Sequence, residues 1–231
     1  MSKYWIQCIA LIVLLLPFHF VEAEGNGQEP STTLLNFLSA MSGKYLYTEQ
    51  MIGNQSYSRP SSLILRPVSV PMFNRTGTLY AEEFLSNVTV RRSLMVSEVN
   101  RKNNTIFTYP FNFTEQVSNL NGSFNFSILD HLLSSDLVYS HVCDRVVAPR
   151  SNKRAVFDFI SWPFCTATLD RPPIYTAVLT CKSITVTMHD VSVVSSIPES
   201  QKVKFILHKS ESFPLPTSML GNRQQYENPC L

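Results

Sequence analysis

Tyr80 and Glu82 stand two apart in the run Gly77 to Leu85, so on a strand both side chains face the same side. Arg91-Arg92 follow in the next β-rich run. A phenol, a carboxylate and a guanidinium on neighbouring strands could hold an anionic ligand, with arginine meeting a carboxylate bidentately. Alternation lets only one of the two arginines share the side of such a site. Tyr80 and Glu82 could equally face away from it, with Tyr80 an ordinary core residue, and Tyr175 carries the same ambiguity. Cys165 could be a thiol poised to hold a ligand; in an oxidising compartment a structural disulfide is the simpler reading.

Other chemistries find no support. The chain has no nucleotide-binding glycine loop, no HExxH, no CxxC and no Gly-x-Ser-x-Gly elbow. Its five histidines are scattered without ligand spacing, so no metal site is expected. A formal net charge of +2 over 231 residues lacks the clustered basic surface that nucleic acid needs.

The first 23 residues read as a secretory signal peptide: Lys3, an apolar run from Ile9 to Leu16, and Val21-Glu22-Ala23 as the cleavage pattern. The run is too short to span a bilayer, and no later stretch is longer, so no membrane span is expected. Sequons at Asn54, Asn74, Asn87, Asn103, Asn112, Asn121 and Asn125 indicate a secreted glycoprotein. The mature chain keeps Cys143, Cys165, Cys181 and Cys230, an even count that suggests two disulfides in one of three connectivities. Cys143 with Cys165 would join two strands, and Cys181 with Cys230 would pin the C-terminal tail.

The elements that position these residues are mostly strands. Ser31 or Thr32 caps a helix with apolar Leu34, Leu35, Leu38 and Met41, stopped by Gly43 as a C-cap glycine. The helix packs on a sheet or closes a barrel end. Strands are predicted at 45–47, 62–70, 77–85, 89–99, 105–113, 137–147, 155–160, 174–180, 183–188 and 202–208, with a short helix at 128–137. The hairpin in the block Phe164 to Asp190 is the candidate to close the sheet. Many short strands indicate one antiparallel sandwich or barrel domain over residues 24–231.

The segment LNFLSAMSGKYLYTEQ, with Met41, Gly43, Tyr45 and Gln50, resembles the opening of the CpcT/CpeT family of T-type phycobiliprotein lyases. Ile64-Leu65-Arg66-Pro67, Leu79-Tyr80-Ala81-Glu82-Glu83, Arg91-Arg92, Cys143 and the interval from Cys165 to Tyr175 are similar to later family motifs in the same order. The resemblance implies a calycin-like, or lipocalin-like, antiparallel β-barrel with an N-terminal helix and a pocket for a linear tetrapyrrole (bilin). Glu82 would then meet the pyrrole nitrogens, Arg91 or Arg92 the propionates, and Tyr80 and Tyr175 would stack or hydrogen-bond. The expected function is binding of a hydrophobic or bilin ligand, with no cofactor required. The alternatives are a lyase that attaches a bilin to a cysteine of an acceptor protein, and a non-enzymatic interaction glycoprotein with a filled barrel.

Overall fold

A computed structural model of the chain describes residues 31–48, 62–74, 76–85, 87–140, 145–161, 174–189, 203–221 and 226–231. The expected signal peptide, Asn54, Cys143 and Cys165 lie outside them. Helix α1 (Thr32–Met41) comes first, then β1 (Gly43–Thr48), β2 (Ser62–Pro67), β3 (Gly77–Leu85), β4 (Val88–Asn100) and β5 (Thr105–Phe113). One helical turn, α2 (Glu115–Ser118), and two 3-10 turns (Phe126–His131 and Ser134–Asp136) lead to β6 (Leu137–Tyr139). The rest are β7 (Arg145–Pro149), β8 (Phe157–Ser161), β9 (Ile174–Leu179), β10 (Ser183–His189), β11 (Val203–Glu211) and α3 (Thr217–Leu220).

The strands form a closed ten-strand antiparallel barrel in which chain neighbours pair in turn, β6 lying beside β7 on one edge of β5. The expected barrel is therefore present. Its closure is not the expected hairpin: β9 and β10 are interior members of the ring, and β1 with the last strand β11 closes it, Leu46 opposite His208. The predicted strand at 137–147 is two strands. β6 pairs with β5 at Phe111 to Phe113, and β7 pairs with it at Ile106 to Thr108. The predicted helix at 128–137 is 3-10 turns running into β6.

Ser31 caps α1 through its hydroxyl, which accepts from the Leu34 N–H at 3.1 Å. Its end differs from expectation: Ser42, in extended conformation, is the C-cap, and the chain passes directly into β1 at Gly43. Gly43 is required by close approach, since a Cβ there would run into the Glu211 carbonyl and the Lys209 stem of β11. Lys209 Nζ donates to the Ala40 carbonyl at 2.6 Å, placing a cation on the negative end of the helix. Burial lowers that amine to about 8.

The α1 side chains fill one end of the barrel. Phe37 stacks edge-on to Phe157 at 5.4 Å and lies 5.9 Å from Phe159, both on β8, while α1 also packs on β3 and β4 across the ring. Leu38 sits so close over Gly77 that a Cβ there would lie 2.5 Å from its Cδ1. Leu65, Leu79, Met95, Ile106, Val147, Ala177, Leu179 and Ile184 complete this core from seven strands. The C-terminal tail seals the same end: Met219 joins the core, the Tyr226 hydroxyl meets Ser39 and Asn36, and a disulfide ties Cys181 to Cys230. That disulfide is the pairing proposed to pin the tail. No helix among the described residues is long and apolar enough to cross a membrane.

Candidate functional site

The sheet β3–β4–β5 has two buried faces, and they divide the expected site residues. Leu79, Ala81 and Met95 face the barrel interior with α1. Tyr80, Leu94 and Val96 face outward, where Val68, Val70, Phe73, Phe113, Leu129 and Leu132 cover them in a second core. The alternation then fixes the rest: Glu82 and Arg92 share the outer face, whereas Glu83 and Arg91 take the inner one.

On the outer face Arg92 is consumed by the fold. Its side chain is 2% exposed, and Nε and Nη2 donate to Glu82 Oε1 at 2.8 and 2.7 Å. Nη1 donates to the carbonyls of Ser118 and Asn119 at 2.7 and 2.6 Å, and Nη2 to that of Gly122 at 2.5 Å. The Phe124 ring lies 5.7 Å from the guanidinium. One arginine thus buttons the crossing segment onto the barrel by bonding carbonyls that α2 and the following turn leave exposed. Asn119 ends α2 in the left-handed conformation, at φ 39°.

Tyr80 packs beneath the same segment, 4.6 Å from Phe124 and 5.0 Å from Phe126. Its hydroxyl is buried without a hydrogen-bond partner among the described residues. Burial, then the nearby Glu82 carboxylate, pushes the phenol well above its usual range. The expectation that Glu82 and Arg92 serve a ligand as acceptor and cation is corrected here: Glu82 neutralises Arg92, and both are covered. Tyr80 and Glu82 do face one side, but it is the outside of the barrel.

Arg91 is the accessible arginine, its side chain 41% exposed. Its Nε donates to Asn112 Oδ1 at 3.1 Å, and Nη1 lies 3.6 Å from Glu83 Oε1. Nη2 makes no hydrogen bond among the described residues. Arg91 stands where β5 stops short: β4 pairs with β5 only from Ser93 onward, so Val88 to Arg92 keep an edge with no strand beside it among the described residues. Between that edge and the segment 112–121 lies an open groove of about 540 Å3, lined by Val90, Arg91, Asn112, Phe113, Leu120 and Asn121 among others. Val90, Phe113 and Leu120 put apolar patches beside the cation, and Asn112, Glu115, Ser118, Asn119 and Asn121 supply polar groups around them. A guanidinium with free donors beside apolar patches can receive the carboxylate of an amphipathic ligand. By contrast, the space beside α1, lined by Leu34, Leu38, Val70, Phe73 and Met219 among others, is about 80 Å3. Small-molecule pockets begin at ~300 Å3.

Tyr175 stands on β9 opposite Met188, across the ring from β4, and its side chain lies outside the described part of the structure. Among the sequons, Asn74, Asn87, Asn103, Asn121 and Asn125 are exposed, while Asn112 is partly buried on β5. Asn103 and Asn125 each accept from the backbone and hydroxyl of the Thr or Ser two residues on, a compact Asx turn. Asn112 and Glu83 were not read from the sequence as partners of Arg91. Their signal is the shared parity of 83 with 91, which needs only the β3–β4 register; the Asn112 pairing needs the next hairpin as well.

No group of three or more His, Cys, Asp and Glu side chains placed to hold a metal occurs among the described residues. No family model and no curated protein matches the chain.

Proposed function

We propose that this is a secreted, glycosylated binding protein related to the CpcT/CpeT lyases, which takes an elongated amphipathic ligand with a carboxylate, a linear tetrapyrrole being the representative case. The seat is the groove beside β4 rather than the helix-filled end of the barrel. The observation that supports this most is Arg91, a half-exposed guanidinium over a groove of about 540 Å3 with apolar patches at Val90, Phe113 and Leu120. A disulfide between Cys181 and Cys230 suits the oxidising compartment that the sequons require. The reading needs binding only; acceptor modification, the lyase alternative, has no nucleophile or acid–base pair assigned to it.

The test is titration of the protein, produced without N-glycans, with biliverdin, followed by visible absorbance. Saturable binding is expected, weakened about tenfold by Arg91→Ala, since a partly exposed charge-assisted contact contributes roughly 1.5 kcal/mol. Absence of binding by wild-type chains produced without N-glycans would exclude the bilin. A non-enzymatic interaction glycoprotein is the second reading, favoured by the α1 side chains Phe37 and Leu38 that fill the barrel end.

A further inference from the structure

Asn112 occupies an unusual place for a sequon. Its side chain lines the groove beside Arg91, and its Oδ1 is taken by the Arg91 Nε–H at 3.1 Å. The other terminal atom, Nδ2, makes no hydrogen bond among the described residues, and Nδ2 is the atom that a glycan would occupy. Attachment there keeps Oδ1 as an acceptor, so the Arg91 contact survives modification. The groove that Asn112 lines runs beside the open edge of β4, with exposed Val90 and Leu120 in its walls. An unprotected strand edge beside apolar side chains invites association, and a covering group removes that hazard.

We propose that Asn112 is a modification switch for the groove: an N-glycan on its Nδ2 fills the seat beside Arg91, and only chains unmodified at Asn112 take an external ligand there. The ligand half of this rests on the binding reading above; the glycan half does not. The other sequons among the described residues are exposed, so a glycan there can extend into solvent.

The structure offers a clean way to remove the sequon. Thr114 completes it, yet as N-cap of α2 its side chain makes no cap hydrogen bond. Its backbone N–H donates to the Asp136 carbonyl, which alanine preserves. Thr114→Ala therefore erases the site while leaving Asn112 and its Arg91 contact in place, and Thr114→Ser is the control that keeps the sequon. The full chain, secreted from a glycosylating host, is mapped by glycopeptide mass spectrometry. It is then titrated with biliverdin and followed by amide exchange over Val88 to Arg92.

The expected result is a glycan at Asn112 in wild type and Thr114→Ser. Biliverdin should bind that form at least about tenfold more weakly than it binds Thr114→Ala. The edge amides should exchange more slowly in the glycosylated form. Wild-type chains that never carry a glycan at Asn112 would overturn the proposal, as would equal biliverdin affinity in glycosylated and Thr114→Ala protein. Slower edge exchange in the glycosylated form, with biliverdin bound by neither, would uphold the glycan seat and end the ligand reading instead.

Discussion

The two cores of this barrel are built on opposite principles. The inner core joins α1 to strands from β1 to β10 and takes Met219 from the tail, so its members run from Leu34 to Met219. The outer core uses one face of β3, β4 and β5 and the segments that cross it, all between Val68 and Leu132. The inner core exists only once the ring has closed and the helix has entered. The outer one asks for two hairpins and a local strap. Contacts close in sequence cost less loop entropy. The outer layer is thus a unit able to form first, with the Glu82–Arg92 pair as its buckle, while the inner core carries the cooperative stability of the whole.

The sharpest break of that contrast is Phe37→Ala, which removes a fully buried ring from between α1 and β8. It should cost about 4 kcal/mol, read as a lowered urea midpoint that far- and near-ultraviolet circular dichroism report together. Replacing both Cys181 and Cys230 by serine unties the tail from the β9–β10 hairpin and should cost roughly 2–4 kcal/mol in the same experiment. Phe124→Ala strips the outer layer and should cost about 2 kcal/mol. Its signature should be local: faster amide exchange over 115–126 while the α1 amides stay protected. Equal loss of protection at α1 would merge the two cores into one.

A smaller effect makes stability depend on pH. Lys209, under α1, falls from 10.5 in the free side chain to about 8. Between those values the unfolded chain binds the more protons, so stability should rise as pH increases from about 8 towards 10. Burial raises the tyrosines Tyr45, Tyr80 and Tyr226. Their contribution is present below pH 10 and is lost above it, so stability should then fall. Lys209→Met should abolish the rise and keep the fall, seen as midpoints of thermal unfolding across the range.

How far the sequence carried depended on the distance over which each feature is decided. β3 and β5 are legible to the residue because alternation and flanking turns decide them locally. α1 was legible from its cap and apolar spacing, but its end was not, because Gly43 answers to β11, far away in sequence. Ring closure by β1 and β11 is equally non-local. For the site, period two correctly limited Tyr80 and Glu82 to one face and separated Arg91 from Arg92. It could not say which face was inside, because both are buried and both read as apolar alternation. Nor could it show that three backbone carbonyls would use up Arg92, since carbonyls leave no mark in a sequence.

The neighbouring arginines do unlike work, Arg92 holding the fold while Arg91 stays half-exposed at the groove. Urea unfolding of Arg91→Ala and Arg92→Ala side by side tests it most directly. Arg92→Ala strands Glu82 and the carbonyls of Ser118 and Gly122 under the strap and should lose about 3 kcal/mol. Arg91→Ala, on an exposed edge, should stay within about 0.5 kcal/mol of wild type. Equal losses in the two variants, or a larger one at Arg91, would contradict the account.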